Sequence, residues 1–448
     1  MTKEIQQETI RGIALRTKAL GGRAMLVGGC VRDALTGRGS ADIDCEVYGL
    51  APQALRSLAA EFGEVDESGA RYGIFSLKGA GIDLAVPRLE RRIGPKHGDF
   101  DVRLDPALPF ARAAARRDFT VNAILRDALT GEIVDPFGGQ ADLRRGVLRA
   151  VPGDGFAEDP LRVLRGAQFA ARFHLSPDAE TLEKMRMMKT DALSPARVLG
   201  EMKKAMASDA PDVFFDVLRR ADALRPWFGE LAALIGVPQP PRYHPEGDAY
   251  THSMLVLHAA AQKKARALRP EAFVFAALTH DLGKAVSTAR GEDGEWHACG
   301  HENTGVPLTR AMLGRLGVNR EIIAYCENMC RLHMRAHVCH YRRAETGETN
   351  LLFDESICPN DLALLAVCDT LGKGSASGGA AEEEVFLTGR VRVYEETAAR
   401  GLPDGSMLLA AGMEPGPQLA EALAAARRRA LTGETAEEAV QNVLRKRQ

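Results

Sequence analysis

No stretch of this sequence approaches the roughly 18 uncharged apolar residues of a membrane span, and its polar opening, MTKEIQQETIRG, has no apolar leader core. Both absences make the cytoplasm the expected location. The net charge of −2 lacks the basic excess that draws a whole protein to nucleic acid, so any RNA contact has to come from local concentrations of arginine. The eight cysteines are scattered without the spacing of a disulfide framework and read as reduced thiols. Cys326, Cys330 and His333 share a helical face, a weak metal pattern for which buried free cysteines are the commoner reading. No segment repeats. What is present is an ordinary globular composition, 45% hydrophobic and 26% charged. Its 448 residues exceed what one compact core usually supports, so about three domains are expected.

Over the first 145 residues, short apolar runs (AMLV, FSLKG, GIDLAV, FTVNAIL) alternate with Gly-rich turns and helix-like segments, an α/β pattern. From Asp159 the chain turns to long Ala-, Leu- and Arg-rich stretches of helical period: DPLRVLRGAQFAARF, LEKMRMMK and PARVLGEMKKAM. The proline-rich break GVPQPPRYHPEG (236–247) reads as a linker, and beyond it lies a second helical region holding nearly all the histidine. GSASGGA (374–380) reads as a flexible loop. From Met413 a Pro-Gly-Pro turn leads into an amphipathic, Arg-rich helix.

In AMLVGGCVRDALTG an apolar strand runs into Gly28-Gly29, and VRDAL opens a helix. Such a turn leaves backbone N–H groups free to approach a phosphate, with Arg32 one turn into the helix to hold it, although a simple tight turn shows the same pair. Next comes Asp42-Ile43-Asp44-Cys45. On a strand, residues two apart face the same way, so Asp42 and Asp44 share one face while Ile43 and Cys45 pack behind. Two adjacent carboxylates are kept ionised together by cations, the requirement of a phosphoryl-transfer site with divalent ions roughly 3.5–4 Å apart. Asp83 alternates with Ile82 and Leu84 as if on a neighbouring strand; it is either a third carboxylate and general base or a plain solvent-facing aspartate.

GGCVRD, DID, RRDFTVNAI (116–124), DPFGGQADLRRGVLR and EDPLRVLR (158–165) follow one another in the order of the class II tRNA nucleotidyltransferases and their relatives, the bacterial poly(A) polymerases. The resemblance is strong over residues 24–175. It implies Asp42 and Asp44 as ligands of Mg²⁺, and Gly29 and Arg32, next to Gly28, as contacts to a triphosphate. It further implies that Arg117 holds phosphates, that Asn122 contacts the ribose, and that Asp159, Arg162 and Arg165 line the nucleotide pocket. Asp159 and Arg162, three apart, would share a helical face and offer an acceptor and a donor to a base edge without any template. An arginine often found three residues after Arg165 is Gln168 here, which bears on whether C, A or both are added. The stretch RLERRIGPKHGDFDVRLDP resembles the mobile loop with which the family switches from C to A.

The second constellation is histidine-rich. His252 lies in AYTHSMLVLHAA, His280 and Asp281 end the apolar helix FVFAALTHDLGK, and Asp369 follows LALLAVC. Imidazoles and carboxylates drawn from several helices make a bundle-core metal site of the kind that activates water. This order resembles the HD phosphohydrolases, which implies a divalent transition metal at His252, His280, Asp281 and Asp369. His301 and His333 are candidates for a second ion, and Lys284 for a substrate phosphate. His258, His297, His337 and His340 are read as hydrogen-bonded core residues.

The resemblances together imply an α+β chain: a DNA polymerase beta-like nucleotidyltransferase head with a small mixed sheet (1–145), an all-α neck and body that select nucleotide and bind RNA (146–240), an α-helical HD domain (241–375) and a helical tail (376–448). The activity implied is template-independent addition of CCA to the 3′ end of tRNA from CTP and ATP, with no membrane partner. RNA affinity is assigned to the arginines of 144–172 and the C-terminal RRR cluster. Alternatives are a poly(A) polymerase, an enzyme adding only CC or only A, a chain whose main activity is HD hydrolysis, and a non-catalytic RNA-binding protein. The near-neutral charge and short RKRQ end argue against the poly(A) product, and the intact Asp42, Asp44 and Arg117 against the last two.

Overall fold

The computed structural model describes residues 2–40, 42–92, 100–374 and 378–446. The chain packs as two compact units, one running to Leu193 with Arg220–Ala223 added, the other comprising Ser194–Arg219 and everything from Leu224 onward.

The first unit is built on a seven-stranded sheet. Its strands are β1 (Arg23–Val27), β2 (Ile43–Tyr48), β3 (Val65–Asp66), β4 (Ile74–Leu77), β5 (Ile82–Ala85), β8 (Leu125–Asp127) and β9 (Ile133–Val134), in the order β3-β4-β5-β2-β1-β8-β9. β2 and β5 run parallel and the other pairs antiparallel, so the sheet is mixed. Strand period decides the faces. Cys45 and Val47 of β2 enter a core with Ile13, Leu55, Leu58, Phe75 and Leu84, under the helices Lys3–Ala19 and Pro52–Ala60, while Asp44 points to the opposite side. That side carries a second core of Met25, Val27, Tyr48, Ala113 and Leu125.

Two readings change. FTVNAIL forms a 3-10 turn at Thr120–Asn122, and only its Leu125 enters a strand. Phe119, Val121, Ala123 and Ile124 are all fully buried, so the run is packed from every side instead of alternating. The basic stretch after Asp83, read as a mobile loop, instead contributes an antiparallel ribbon of β6 (Arg88–Arg92) and β7 (Phe100–Leu104); its centre, 93–99, lies outside the described residues.

The helix Leu161–Phe173 follows, burying Val163, Leu164, Ala167 and Ala170. Asp159 stands before it in extended conformation and accepts the backbone N–H of Leu161 at 3.0 Å. It therefore precedes the helical face it was expected to share with Arg162, because Pro160 supplies the entry and locks φ there.

The second unit is helical. The helices Ala249–Lys263, Pro270–Thr279, His301–Leu316, Arg320–Tyr341 and Pro359–Gly372 enclose a core that includes Phe273, Phe275, Leu278, Leu332 and Leu365. Asp361 holds their ends together, accepting the N–H groups of Leu268 and Arg269 and the Tyr325 hydroxyl. The break at 236–247, read as a linker, lies within this unit and is packed. Gly236 N–H donates to Asp248 Oδ2, Ala249 N–H to the Val237 carbonyl, and the side chain of Gln239 is buried. Of the GSASGGA loop, 375–377 lie outside the described residues. The last helices, Pro417–Leu431 and Ala436–Arg445, close a small core of Leu408, Ala422, Ala426, Val440 and Val443. No described helix is long and apolar enough to cross a membrane.

Candidate active sites

Asp44 lies directly opposite Asp83 across the β2–β5 pair and opposite Val27 across β1–β2, so it stands beside the turn that ends β1. Asp42, one residue before β2, falls on the same face. All three aspartates are exposed, and their carboxylates are not gathered within 4.8 Å of one another as the histidine clusters of the second unit are. Three like charges favour that separation. Desolvation by the surrounding protein, against the pull of Arg117 and reinforced by Asp83, Asp42 and Glu46, holds the Asp44 pKa above the usual value. Crowded negative charge of this kind fits a divalent cation bound by oxygen ligands.

Gly28 stands beside these carboxylates at φ 72°, ψ −133°, a conformation all but closed to other residues. A Cβ there would come 2.9 Å from Arg117 Nη1 and 3.5 Å from Asp44 Oδ2. Gly29 has no such constraint: its Cβ would meet only Arg32 Nη2, at 3.6 Å. Gly28→Ala is therefore expected to introduce about 1–3 kcal/mol of backbone strain beside the carboxylates and to lower nucleotide incorporation about tenfold or more, measured by primer extension, with no change in the second unit.

Arg117 is fixed from below by Glu46, which lies on the Asp42–Asp44 face of β2. Glu46 Oε1 accepts from Arg116 Nη2 at 2.7 Å and Arg117 Nη2 at 3.0 Å, and the Tyr48 hydroxyl donates to Oε2 at 2.9 Å. Burial pushes this carboxyl up, but Arg117, Arg116 and Tyr48 outweigh it and hold its pKa down to about 2. A depressed carboxylate stabilises the fold above its unfolded value of 4.5, and that contribution fades as pH falls from there toward 2. Its size is about 3 kcal/mol. Acid unfolding followed by circular dichroism is expected to show it, and Glu46→Gln to flatten the limb between those two pH values.

Of the remaining nucleotide-binding candidates, Arg32, Asn122 and Arg165 form one network through Asp118. Arg32 Nη1 donates to Asn122 Oδ1 at 2.6 Å, its Nε and Nη2 to Asp33 Oδ1, and its guanidinium lies 3.9 Å from the Phe173 ring centre. Asn122 Nδ2 donates to Asp118 Oδ1 at 2.9 Å, and Arg165 Nε to Asp118 Oδ2 at 2.8 Å. Arg162 donates to the carbonyls of Gly155 (2.6 Å) and Arg116 (2.7 Å). Gln168 is buried in the same helix, and its Nε2 has no partner among the described residues.

In the second unit the histidines converge. His280, His301 and His333 each place Nδ1 on a backbone carbonyl three residues earlier, those of Ala277, Ala298 and Cys330, at 2.8, 2.7 and 2.6 Å. A carbonyl only accepts, so the proton sits on Nδ1 and Nε2 is left as a bare ligand. His252, His280 and Asp369 form one group, and Asp281, His301 and His333 another. Asp281 joins them: Oδ2 lies 3.3 Å from His280 Nε2 and 3.6 Å from His252 Nε2, while Oδ1 lies 3.1 and 3.5 Å from the Nε2 atoms of His301 and His333. Neither oxygen of Asp281 nor Nε2 of His280 makes a directed hydrogen bond, which is the arrangement a pair of cations would satisfy. Although buried, Asp281 is held well below the usual carboxylate pKa by His280 and Lys284. The imidazole-rich donor set suits a transition metal.

Lys284 is buried, neither solvated nor free: its Nζ lies 2.7 Å from Asp281 Oδ2 and donates to Gln239 Oε1 at 2.8 Å. A cavity of about 490 Å³, lined by Lys284, Lys373, Trp296, Tyr243, His301 and Asp369, opens beside the centre. The cysteine reading falls away. His333 groups with Asp281 and His301, and burial pushes the Cys330 thiol up to about 12. Of the four histidines read as core residues, His337 and His340 are half-buried, the first bonded to Asp369 and Glu383 and the second near Glu383. His258 and His297 are exposed and pair with Asp212 and Asp293. In the C-terminal RRR cluster, Arg427 pairs with Asp354 and Arg429 with Glu434.

Residues 24–149 match the family model "Poly A polymerase head domain", 174–235 that of the "Probable RNA and SrmB- binding site of polymerase A", and 249–371 the "HD domain". A Multifunctional CCA protein of Nitrosococcus oceani is 41% identical over 327 residues, 72% of this chain and 77% of its own. One from Xanthomonas campestris pv. campestris is 37% identical over 417 residues, 90% of this chain and 96% of its own. The chain belongs to the multifunctional CCA protein family. Solved CCA-adding enzymes share the fold at lower identity. An apo form aligns with a TM-score of 0.67 at 19% identity, covering 100% of this chain and 96% of the other. A Thermotoga maritima CCA-adding enzyme, solved in complex with tRNA, aligns with a TM-score of 0.61 at 19% identity, covering 100% and 97%.

Around these motifs stand five side chains that the sequence reading passed over. Glu46 continues the alternation of Asp42 and Asp44, a signal that was present. Asp118 lies inside RRDF, and the bonds it receives from the side chains of Asn122 and Arg165 span 4 and 47 residues. Glu246 and His244 sit in the proline-rich segment and close on His252. Glu383 reaches His337 from the helix Ala380–Ala399, with nothing local to announce it.

Proposed function

We propose that this CCA protein adds the terminal C, C and A to tRNA in the cytoplasm, drawing CTP and ATP into the groove of the first unit, and that its HD centre hydrolyses phosphomonoesters or 2′,3′-cyclic phosphates. The observation that carries the first part is the pairing of Asp44 with Asp83 beside the Gly28 turn and Arg117. Asp42 and Asp44 would hold Mg²⁺, which when bound activates the 3′-hydroxyl and neutralises the departing pyrophosphate. Asp83 would accept the hydroxyl proton. Arg117, anchored by Glu46, and the N–H groups of the turn at Gly28 and Gly29 would grip the triphosphate. Arg32, which donates to Asn122, would add a further cation for the triphosphate. Asp159 and Arg162 would read the base edge, the arginine being fixed by two carbonyls with further N–H groups to spare. The HD centre would hold divalent transition metal ions on His252, His280, Asp281 and Asp369, and on Asp281, His301 and His333.

The test gives purified protein a tRNA transcript lacking its 3′ end, with CTP and ATP separately and together, and sequences the products. CTP alone is expected to give two additions and the pair three. Extension beyond three nucleotides, or by A without CTP, would favour a poly(A) or A-adding enzyme instead.

A further inference from the structure

We infer that the two metal positions of the HD centre are unequal, and that Glu246 is the positioning residue that strengthens one of them. The inference rests on the metal-binding reading of that centre.

The first position offers His252 Nε2, His280 Nε2, Asp369 Oδ1 and Asp281 Oδ2; the second offers Asp281 Oδ1, His301 Nε2 and His333 Nε2. Asp281 is shared, so the first position alone has a carboxylate of its own. The surroundings widen the difference. His252 Nδ1 donates to Glu246 Oε1 at 2.7 Å, with both groups buried. An imidazole whose far nitrogen donates to a carboxylate is a stronger metal ligand than one donating to a neutral carbonyl, as His301 and His333 do. Asp369 is backed in the same way. His337 Nε2 donates to its Oδ2 at 2.6 Å, and His337 Nδ1 to Glu383 Oε1 at 2.8 Å. The Thr370 hydroxyl fixes the other oxygen of Glu383. Oδ1 of Asp369 is thereby turned toward His252, at 2.9 Å, and held there. Glu246 thus raises the donor strength of one ligand and the Glu383–His337 pair orients another, while behind the second position His301 and His333 give their Nδ1 protons to backbone carbonyls and the Glu302 carboxylate stands off at 3.9 Å from His301 Nδ1.

The experiment titrates the full chain carrying Asp42→Ala and Asp44→Ala, so that the first unit contributes no ion site, with Co²⁺, following its visible absorption. Two steps are expected, the first about 10–100-fold tighter than the second. Glu246→Gln and, separately, Glu383→Gln are expected to weaken the tight step about tenfold or more and leave the weak one unmoved. His301→Ala should remove only the weak step. Thermal melts of the metal-free proteins report that each variant is folded. Equal steps in the parent, or an unchanged tight step in folded Glu246→Gln, would overturn the inference while leaving the metal centre in place. Absence of any Co²⁺ uptake would overturn the HD reading itself.

Discussion

Asp44→Ala is expected to lower nucleotide addition by about 10³–10⁵-fold, because one side chain that would hold divalent cations is removed and their charge stabilisation is worth several kcal/mol. The fold should be indifferent. Asp44 is exposed and its pKa is raised, so the native state gains nothing from its ionised form. A stability change within about 0.5 kcal/mol is expected, as for other surface substitutions. Asp42→Ala should behave alike, whereas Asp83→Asn, which would remove a proton acceptor, is expected to cost about 10²–10⁴-fold. Primer extension on tRNA lacking its 3′ end measures all three. Hydrolysis by the second unit should be untouched, and extension by Asp44→Ala within tenfold of the parent would contradict the site.

Asp281→Asn is expected to do the converse: metal content of the second unit and phosphohydrolysis fall together, by about 10³-fold or more in rate, while CCA addition persists. The reason is position. Asp281 is 2% exposed and offers an oxygen to each group of histidines, so its loss weakens both metal positions at once. It is also the counterion of buried Lys284, and leaving that ammonium unpaired would cost about 3–5 kcal/mol of stability. A lower melting temperature should accompany the loss of metal, and Lys284→Met in the same background should restore part of it. Metal analysis, hydrolysis of a 2′,3′-cyclic nucleotide and a thermal melt test these outcomes. Retained metal in the folded variant would remove Asp281 from the bridging place.

Local pattern made much of this legible. Asp42 and Asp44 were readable because strand period puts alternate residues on one face, and the same rule extended two residues would have reached Glu46. It was passed over because its worth depends on Arg116 and Arg117, 70 and 71 residues away. His280 and Asp281 were readable at the end of an apolar helix. Glu246 was not, because proline-rich composition announces an irregular backbone and is silent on whether that backbone is buried. The run FTVNAIL misled for a related reason: full burial on all sides replaces alternation, and period then says nothing of secondary structure.

The sequence by itself determined the chemistry available: paired carboxylates after a glycine turn, an H…HD…D set on helices, and the strand and helix periods that present them. These follow from short-range sterics, which act over two to four residues and are written in spacing. Only tertiary structure decided the partners. Asp83 came to face Asp44, Asn122 and Arg165 to share Asp118, and Glu246 and Glu383 to stand behind His252 and His337. Such contacts depend on which distant segments exclude water together, a property of the packed whole that no local window contains.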